Sequence, residues 1–349
     1  LPLTGCEYDD YRPTTQAIAS FDDGGRASES GPWDEMLAWL HGEAALAAPV
    51  AEATPGDAQF EQGGCYVLRR GDSFAMMRCA AYRDRVSQPD QLHVDLWHAG
   101  RNLALDPGTY SYNADGAWSK IPLAATGAHN TVTVDGLDQA DRAARFLYLP
   151  RPDGRVLHMG RSQGGEIGVI EAEHDGYLRL ADPVRHRRAL VQLGAAHWAV
   201  IDRLIGGAPH AYRLHWLIED HPLRWDAERG RVTLDLPEGP YVIDIDAAEG
   251  AMECDLVRGQ SDGVRGWYSP RYQQLRPALS LVGRCATRSV VCVTVCGPGT
   301  WSVRSSSERI TVEAADWSAE LALGPMRAAA ALLQRVELSG AVEDRWERT

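Results

Sequence analysis

The stretch QPDQLHVDLWHAGRNLALDPGTYSYNADGAWSKIPLAATGAHNTVTVDGLDQ, residues 88–139, decides the fold of this chain. Its first part alternates the apolar residues Leu92, Val94 and Leu96 with other side chains, and its last part is a Thr-Val run that ends at an Asp-Gly turn dipeptide. Alternation with a period of two, bounded by turn residues, is typical of antiparallel strands. The stretch therefore predicts strands joined by hairpins.

Short runs of the same kind recur through the chain. They lie at residues 65–77, 189–201, 232–246, 290–295 and 310–312. The chain also has 34 glycines and few helix signals. We therefore predict a mainly β protein, built on a large antiparallel β-sandwich (a supersandwich) with a short α-helical N-terminal segment. Residues 326–334 are compatible with a helix or with a buried last strand.

The first 50 residues differ from the rest. Residues 14–19 form a short amphipathic run, and Ser30-Gly31-Pro32-Trp33 followed by two acidic residues is typical of a helix start. Residues 51–63 are rich in Pro, Gly and Ala and are predicted to be a linker. The predicted organisation is a helical segment over 1–50, a linker over 51–63 and a sandwich domain over 64–349.

Composition narrows the function. The 349 residues carry a formal net charge of -13, which argues against binding to nucleic acid because there is no basic excess to replace phosphate counterions. A local basic cleft in an acidic protein can still hold an anionic sugar polymer. No apolar run is long enough to span a bilayer. The seven cysteines form no Cys-x-x-Cys pair and are expected to be mostly buried thiols, with one or two disulfides left open.

The stretch 88–139 also holds the densest set of groups that bind metals or transfer protons. Strand alternation places His93 and Asp95 on one face, Asp106 lies at a strand end before a Pro-Gly turn, and His129 precedes the Thr-Val strand. Two histidines and a carboxylate that converge from different strands are a plausible zinc site with an open position. Ordinary surface histidines are the alternative. Asp90 and Asp95 as the carboxylate pair of a glycoside hydrolase are a weaker one.

The segments DPGTYSY (residues 106–112) and AHNTVTVDGLDQ (residues 128–139) resemble the C-terminal β-sandwich of the heparinase II/III-like polysaccharide lyases. Later segments resemble the same family, namely His186-Arg187-Arg188, Asp202-Arg203, His215-Trp216 and the stretch 266–272. Arg188 and Asp202 face each other across a probable hairpin and are predicted to be an ion pair within the sheet. Residues 1–48 resemble the last helices of the (α/α) toroid that precedes the sandwich in this family.

The resemblance implies a structural zinc held by a motif histidine, the turn aspartate and the later histidine. These positions fall on Gln88, Asp106 and His129, and the motif histidine that borders the active cleft falls on Val86. Since Gln88 is a poor zinc ligand, the site is either lost or completed by His93. The predicted metal-binding residues are Gln88, His93, Asp106 and His129.

The resemblance also implies β-elimination on an acidic polysaccharide. In the family the toroid supplies an Asn that neutralises the uronate carboxylate and a Tyr that acts as base and acid, and no residue of this chain matches either. The catalytic candidates here are His93, oriented by Asp95, and Tyr112. The substrate-binding candidates are aromatic residues able to stack on a sugar ring, namely Trp97, Tyr110, Trp267 and Tyr272.

The predicted function is therefore the C-terminal part of a polysaccharide lyase that cleaves uronate-containing polysaccharide and is inactive without its toroid domain. The alternative is a non-catalytic sandwich that binds carbohydrate or acts as a scaffold in surface-polysaccharide metabolism, which the loss of histidine at Val86 and Gln88 favours. The resemblance implies a periplasmic or secreted location, while the lack of a visible signal peptide leaves a cytoplasmic one open. The chain begins without Met, so we expect a processed product or a fragment.

Overall fold

The computed structural model describes residues 4–7, 10–22, 24–51, 55–327 and 329–348. Parts of the predicted helical segment (1–3, 8–9 and 23), of the predicted linker (52–54) and of the undecided stretch (328) therefore lie outside the described residues. Contacts divide the chain into two compact units, Leu1–Gly56 and Asp57–Thr349. None of the described helices is long and apolar enough to cross a membrane.

The first unit is helical, as predicted. Helix α1 spans Arg12–Asp22, helix α2 spans Asp34–His41, and a 3-10 turn follows at Glu43–Ala47. Two acidic residues occupy the first turn of α2, where the helix dipole favours negative charge, and Gly42 ends the helix at φ +82°. The buried amide of Gln16 donates to the Asp34 carboxylate at 2.7 Å, which joins the two helices.

The second unit is built from antiparallel strands, which confirms the prediction of a mainly β fold. In chain order the strands are β1 (Ala58–Phe60), β2 (Cys65–Arg70), β3 (Ser73–Arg78), β4 (Val94–His98), β5 (Arg101–Ala104), β6 (Val132–Val134), β7 (Asp141–Ala144), β8 (Leu147–Leu149), β9 (Gly154–Arg161), β10 (Ile167–His174), β11 (Arg185–Leu193), β12 (His197–Ile218), β13 (Leu223–Asp226), β14 (Arg231–Leu236), β15 (Gly239–Ala247), β16 (Glu253–Arg258), β17 (Trp267–Tyr268), β18 (Arg276–Pro277), β19 (Leu279–Pro298), β20 (Trp301–Ser305), β21 (Arg309–Ala314), β22 (Trp317–Leu323), β23 (Leu333–Gly340) and β24 (Asp344–Glu347).

The centre of the fold is the pairing of the two longest strands, β12 with 22 residues and β19 with 20. They pair from Trp198 opposite Cys296 to Ile218 opposite Leu279, with one irregularity after Ile205. Fifteen strands join this sheet, and β20 to β24 form a separate five-stranded sheet. Short 3-10 turns at Gly116–Lys120, Pro122–Ala124 and Thr126–Ala128 fill the connection from β5 to β6.

Two apolar cores hold these sheets together. One contains Val169, Ile201 and Val293 from the large sheet with Leu321 and Val336 from the small sheet, so the two sheets pack face to face. The other core is enclosed by strands of the large sheet itself, since it runs from β2 through β12 to β15. Burial on both faces explains why residues 198–201 of β12 form an unbroken apolar run rather than an alternating one.

Two details differ from the sequence analysis or complete it. Residues 58–60, predicted as linker, form β1 because Ala58 to Phe60 pair with Val67 to Cys65. For residues 326–334 the sequence left helix and strand open. The described residues of this stretch form no helix, and β23 begins at Leu333. Residue 328 lies outside the described residues. The cysteines of the described chain are all free, and Cys79, Cys292 and Cys296 are buried.

A fully buried ion pair lies on the large sheet. Arg188 and Asp202 are opposite each other in the β11–β12 ladder, and the guanidinium donates to the two carboxylate oxygens at 2.7 and 2.8 Å. This confirms the predicted sheet pair. Arg188 Nη1 also donates to the carbonyls of Leu92 and Asn130 at 2.6 Å each, and His186 Nε2 lies 2.6 Å from Asp202 Oδ1. All three guanidinium nitrogens of Arg188 thus donate hydrogen bonds in an environment that excludes water.

We expect Asp202→Asn to lower the free energy of unfolding by roughly 3–5 kcal/mol, because it leaves the Arg188 charge buried without its counter-ion. The matched control is Arg304→Ala, which removes an exposed pair with Glu313 and is expected to cost less than about 1 kcal/mol. Urea unfolding of the purified chain measures both. Equal losses in the two variants would contradict this account of the pair.

Candidate functional site

The Asp-Pro-Gly turn at residues 106–108 is held in one geometry by its surroundings. The N–H of Gly108 donates to Asp106 Oδ1 at 2.7 Å, and Gly108 has φ +70°. A Cβ on Gly108 would lie 2.4 Å from the carbonyl oxygen of Ser269, so the turn needs glycine both for its backbone and for its space. The Asp106 side chain is thereby fixed at the end of β5.

His93, Asp106 and His129 converge, as the sequence predicts. Asp106 Oδ2 lies 3.9 Å from His93 Nε2 and 3.7 Å from His129 Nε2, and the two imidazole rings are edge to face with centroids 5.4 Å apart. Both Nε2 atoms are buried and lack a hydrogen-bond partner among the described residues. Since buried polar atoms are normally paired, this arrangement points to a small polar ligand between them.

The other ring nitrogens fix the tautomers. His129 Nδ1 lies 2.9 Å from the Ala125 carbonyl, so it carries the proton and leaves Nε2 with a lone pair. His93 Nδ1 accepts the backbone N–H of Asn130 at 3.0 Å, so in the neutral ring the proton sits on Nε2. Burial, and then the neighbouring His129, lower the pKa of His93 to about 3, which keeps the ring neutral at ordinary pH.

This donor set fits zinc poorly. A metal needs the lone pair of each ligand, and His129 Nε2 and Asp106 Oδ2 offer one, whereas His93 Nε2 carries a proton. The Gln88 amide nitrogen lies 3.5 Å from the Gly108 carbonyl, a contact with the turn. Within the described part of the chain, no set of three His, Cys, Asp or Glu side chains is arranged as a metal-binding group. The site thus offers one hydrogen-bond donor, His93 Nε2, and two acceptors, His129 Nε2 and Asp106 Oδ2. This combination suits a hydroxyl-type oxygen better than a cation.

Asp95 does not orient His93. Its carboxylate accepts the indole N–H of Trp97 at 2.7 Å and lies close to the Asn102 amide, while His93 uses the Asn130 N–H instead. Burial, and then the charge of Asp106, raise the pKa of Asp95 to about 7. Trp97 stacks on the Phe74 ring at 5.5 Å between centroids, so its position is explained by packing.

The aromatic candidates fall into three places. Tyr110 packs edge to face against Trp118 at 5.1 Å. Tyr112 and Tyr272 are about half exposed and lie against each other with ring centroids 5.1 Å apart. Trp267 donates to the Gln260 carbonyl at 2.9 Å and lines a separate small cavity of about 240 Å³. Of the predicted sugar-stacking residues, Tyr272 is the one that belongs to an exposed pair of rings, and its partner Tyr112 was predicted as a catalytic residue.

The position of the cleft histidine in the family is taken by a core residue. Val86 is fully buried against Ala140, Tyr148 and Tyr82. Asp90, one carboxylate of the glycoside hydrolase alternative, is buried and accepts the Tyr82 hydroxyl at 2.6 Å. Asp90 and Asp95 are therefore each tied to structural partners, which does not favour the glycoside hydrolase alternative.

Two arginines beside the tyrosine platform were not predicted from the sequence. Arg85 and Arg145 are both exposed, and Arg85 donates to the carbonyls of Arg145 and Phe146. The local sequence RDR at residues 83–85 and the Arg-Phe pair at 145–146 are the signals that would have indicated them.

The tautomer assignment makes a measurable prediction. In a long-range ¹H–¹⁵N spectrum of the purified chain, we expect His93 to be protonated at Nε2 and His129 at Nδ1, and to remain so when equimolar zinc is added. His93→Ala serves as the assignment control. A zinc-induced loss of the Nε2 proton, with one zinc retained per chain after dialysis, would contradict the assignment and restore His93 as a ligand.

Comparison with known proteins agrees with this fold. A family model described as "Heparinase II/III-like, C-terminal" matches residues 52–310. A heparin-sulfate lyase of Bacteroides stercoris is 27% identical over 137 residues, which are 37% of this chain and 17% of that protein. A heparin-sulfate lyase of Pedobacter heparinus is 28% identical over 149 residues, 42% of this chain and 20% of that protein.

Solved structures show the same architecture. The crystal structure of heparinase III has a TM-score of 0.66 and 16% identity, and the match covers 99% of this chain and 49% of that one. For heparan sulfate lyase HepC from Pedobacter heparinus the TM-score is 0.63 at 17% identity, with 86% and 46% covered. The matches thus span about a fifth of the curated relatives and about half of the solved chains. This chain belongs to the heparinase II/III-like family, whose C-terminal domain it contains.

Proposed function

We propose that this chain is the C-terminal part of a polysaccharide lyase that cleaves acidic, uronate-containing polysaccharide by β-elimination. The observation that carries the proposal is the family match over residues 52–310. Relatives in the comparison are named heparin-sulfate lyases, and a sulfated or carboxylated polymer is the substrate class that we extend to this protein.

The chemistry defines what the protein must supply. A base removes the C5 proton of the uronate, the electron pair forms the C4–C5 double bond, and the C4–O bond breaks, so that the leaving oxygen takes up a proton. The carboxylate beside C5 must be neutralised because charge develops on it in the transition state. The base must also reach the C5 proton within hydrogen-bond distance.

The sandwich offers little to the proton transfer itself. His93 is 2% exposed and Asp95 is 9% exposed, while Val86 has no group that can carry a proton. Tyr112, at 48% exposure, is the accessible member of the predicted catalytic set. We therefore propose that the base and the group that neutralises the carboxylate come from a helical toroid domain, that the sandwich forms one wall of the cleft, and that this chain alone is inactive.

A carbohydrate-binding sandwich without catalysis is the second candidate. The burial of Val86 in an apolar cluster favours it, since a chain that still used this edge for proton transfer would need a polar group there. Zinc forms no part of either proposal, because the neutral His93 presents a proton and not a lone pair. A periplasmic or secreted location, suggested by the family, completes the proposal, and cell fractionation tests it.

An ultraviolet assay for unsaturated uronate separates the two candidates. We expect no product from this chain with heparan sulfate, alginate or a bacterial capsular polysaccharide, and product from a form extended through the toroid domain. Turnover by this chain alone would contradict its proposed inactivity. Absence of product from both forms, with polysaccharide binding intact, would favour the non-catalytic candidate.

A further inference from the structure

We propose that Arg85, Tyr112, Arg145, Phe146 and Tyr272 form a subsite that binds a sulfate or carboxylate group of an acidic sugar while its ring stacks on the tyrosines. This set is called the arginine–aromatic surface below. The inference deepens the proposed function, on which its choice of sugar rests, but binding by the surface is testable without any catalysis.

The aromatic part consists of three contiguous rings, of which Tyr112 and Tyr272 are exposed and Phe146 is half-buried. The Tyr112 ring lies 4.8 Å from Phe146 and 5.1 Å from Tyr272, centroid to centroid, at steep interplanar angles. Tyr112 and Tyr272 are 48% and 49% exposed, unusually open for residues that usually bury their rings. An open ring face beside a second ring suits the apolar face of a pyranose.

The cationic part borders the same rings. Arg85 lies 5.7 Å from the Phe146 ring centroid and donates to the Arg145 carbonyl at 2.8 Å. Arg145 donates only to the Asn113 side chain, at 2.7 Å, among the contacts described for it. Within the described residues neither guanidinium has a carboxylate within ion-pair distance. A planar guanidinium with free donors matches the geometry of carboxylate and sulfate oxygens.

The neighbouring carboxylates do not cancel this charge. Asp141 is paired with Arg179 at 2.9 Å. Asp84 and Asp115 are exposed and are not ion-paired with either arginine of the surface in the described chain. In a protein of net charge -13, two unpaired guanidinium groups beside exposed aromatic rings are a local exception, and local positive potential attracts an anionic polymer.

The surface continues into an open groove of about 1010 Å³, whose lining includes Arg83, Arg85 and Arg155 with Asp84 and Glu61. Arg151 donates to the Arg83 carbonyl at 2.7 Å and adds another exposed guanidinium at this edge. Arg155 is paired with Glu173 at 2.7 Å, so the groove is of mixed charge. A polymer bound at the tyrosine rings can extend along it beside Arg83 and Arg151.

The backbone beneath the arginine–aromatic surface contains three residues in high-energy conformations with positive φ. Tyr110, Phe146 and Gln273 have φ of 69°, 57° and 60°, a region that side chains with a Cβ rarely adopt. The Gln273 N–H donates to the Tyr110 carbonyl at 2.7 Å, which ties the segment that bears Tyr272 to the Asp106 turn segment. Conformations of this kind tend to persist where a binding site needs a fixed presentation.

The test is calorimetric titration of the complete chain with a heparin octasaccharide, with its desulfated and carboxyl-reduced form, and with a single-stranded oligonucleotide of equal charge. We expect the heparin oligosaccharide to bind and the neutral form to bind at least tenfold more weakly. Arg145→Ala should weaken heparin binding about tenfold, as expected for loss of one charge-assisted contact. Tyr112→Ala should weaken it similarly, whereas Tyr112→Phe should not.

Arg224→Ala is the matched control, since it removes an exposed arginine on β13, at the far end of the strand order. Circular dichroism and thermal unfolding confirm that each variant is folded, and Arg145→Gln, which also removes the charge, replaces Arg145→Ala if that variant is not. The proposal is overturned if heparin does not bind at millimolar concentration, if Arg224→Ala weakens binding as much as Arg145→Ala, or if the oligonucleotide binds more tightly than heparin.

The two proposals fail separately. Product from the toroid-extended form with unchanged heparin binding by Arg145→Ala would overturn the subsite and leave the lyase function standing. Binding that depends on Arg145 and Tyr112, with no product from the extended form, would overturn the lyase function and leave the subsite standing.

Discussion

The buried contact between Arg188 and Asp202 is the constraint on which the candidate site depends. It is part of the β11–β12 ladder, and the same guanidinium holds the carbonyls of Leu92 and Asn130 at 2.6 Å. Those residues are next in the chain to His93 and His129. The Arg188 guanidinium therefore fixes the positions of both imidazoles. Because this charge is buried away from water, displacing it would cost free energy, and the site resists rearrangement.

Asn130 carries this constraint to the rest of the site. Its amide donates to the carbonyls of Val94 and Leu105 and accepts the N–H of Leu217, so strands from three parts of the sequence meet at one side chain. Its backbone N–H then determines which nitrogen of His93 bears the proton. The geometry that joins the strands is thus the same geometry that places the proton of the neutral His93 ring on Nε2.

The sandwich thus has a rigid inner site and a separate outer binding surface. The buried imidazoles of His93 and His129 lie against Asp106, whose side chain is exposed at the start of the turn segment. Tyr112 lies six positions beyond Asp106, where the same segment is again exposed. Rigid support beneath an exposed platform holds aromatic rings and guanidinium groups in a fixed geometry for binding to a polymer. On this account the sandwich contributes recognition, and proton transfer is left to groups outside this chain.

Much of the fold was predictable because it depends on local pattern. Alternation at 92–96 and 132–134 indicated strands, and the acidic helix start before residue 36 indicated α2. The Arg188–Asp202 pair followed from hairpin spacing. The convergence of His93, Asp106 and His129 was also predicted, from residue types near strand ends.

The site chemistry was less accessible from sequence. Whether His93 is a ligand or a donor depends on one backbone N–H from a residue 37 positions away, which no local pattern encodes. Asp95 was paired with His93 on alternation alone, but Trp97 takes its carboxylate. The arginine–aromatic surface joins residues 85, 112, 145–146 and 272, whose proximity arises only from the tertiary fold. Trp267, which was predicted to bind sugar together with Tyr272, lines a different cavity.

The central claim is that this sandwich recognises an acidic polymer through the arginine–aromatic surface, while the buried imidazoles of His93 and His129 do not contact it. A chemical-shift map of the isotopically labelled chain titrated with a heparin octasaccharide tests this claim most directly. The account predicts that the largest changes fall on residues 83–85, 112–113, 145–146 and 272, with His93 and His129 little affected. Large changes confined to the far hairpin of β13 and β14, or displacement of the His93 Nε2 proton by the sugar, would contradict it.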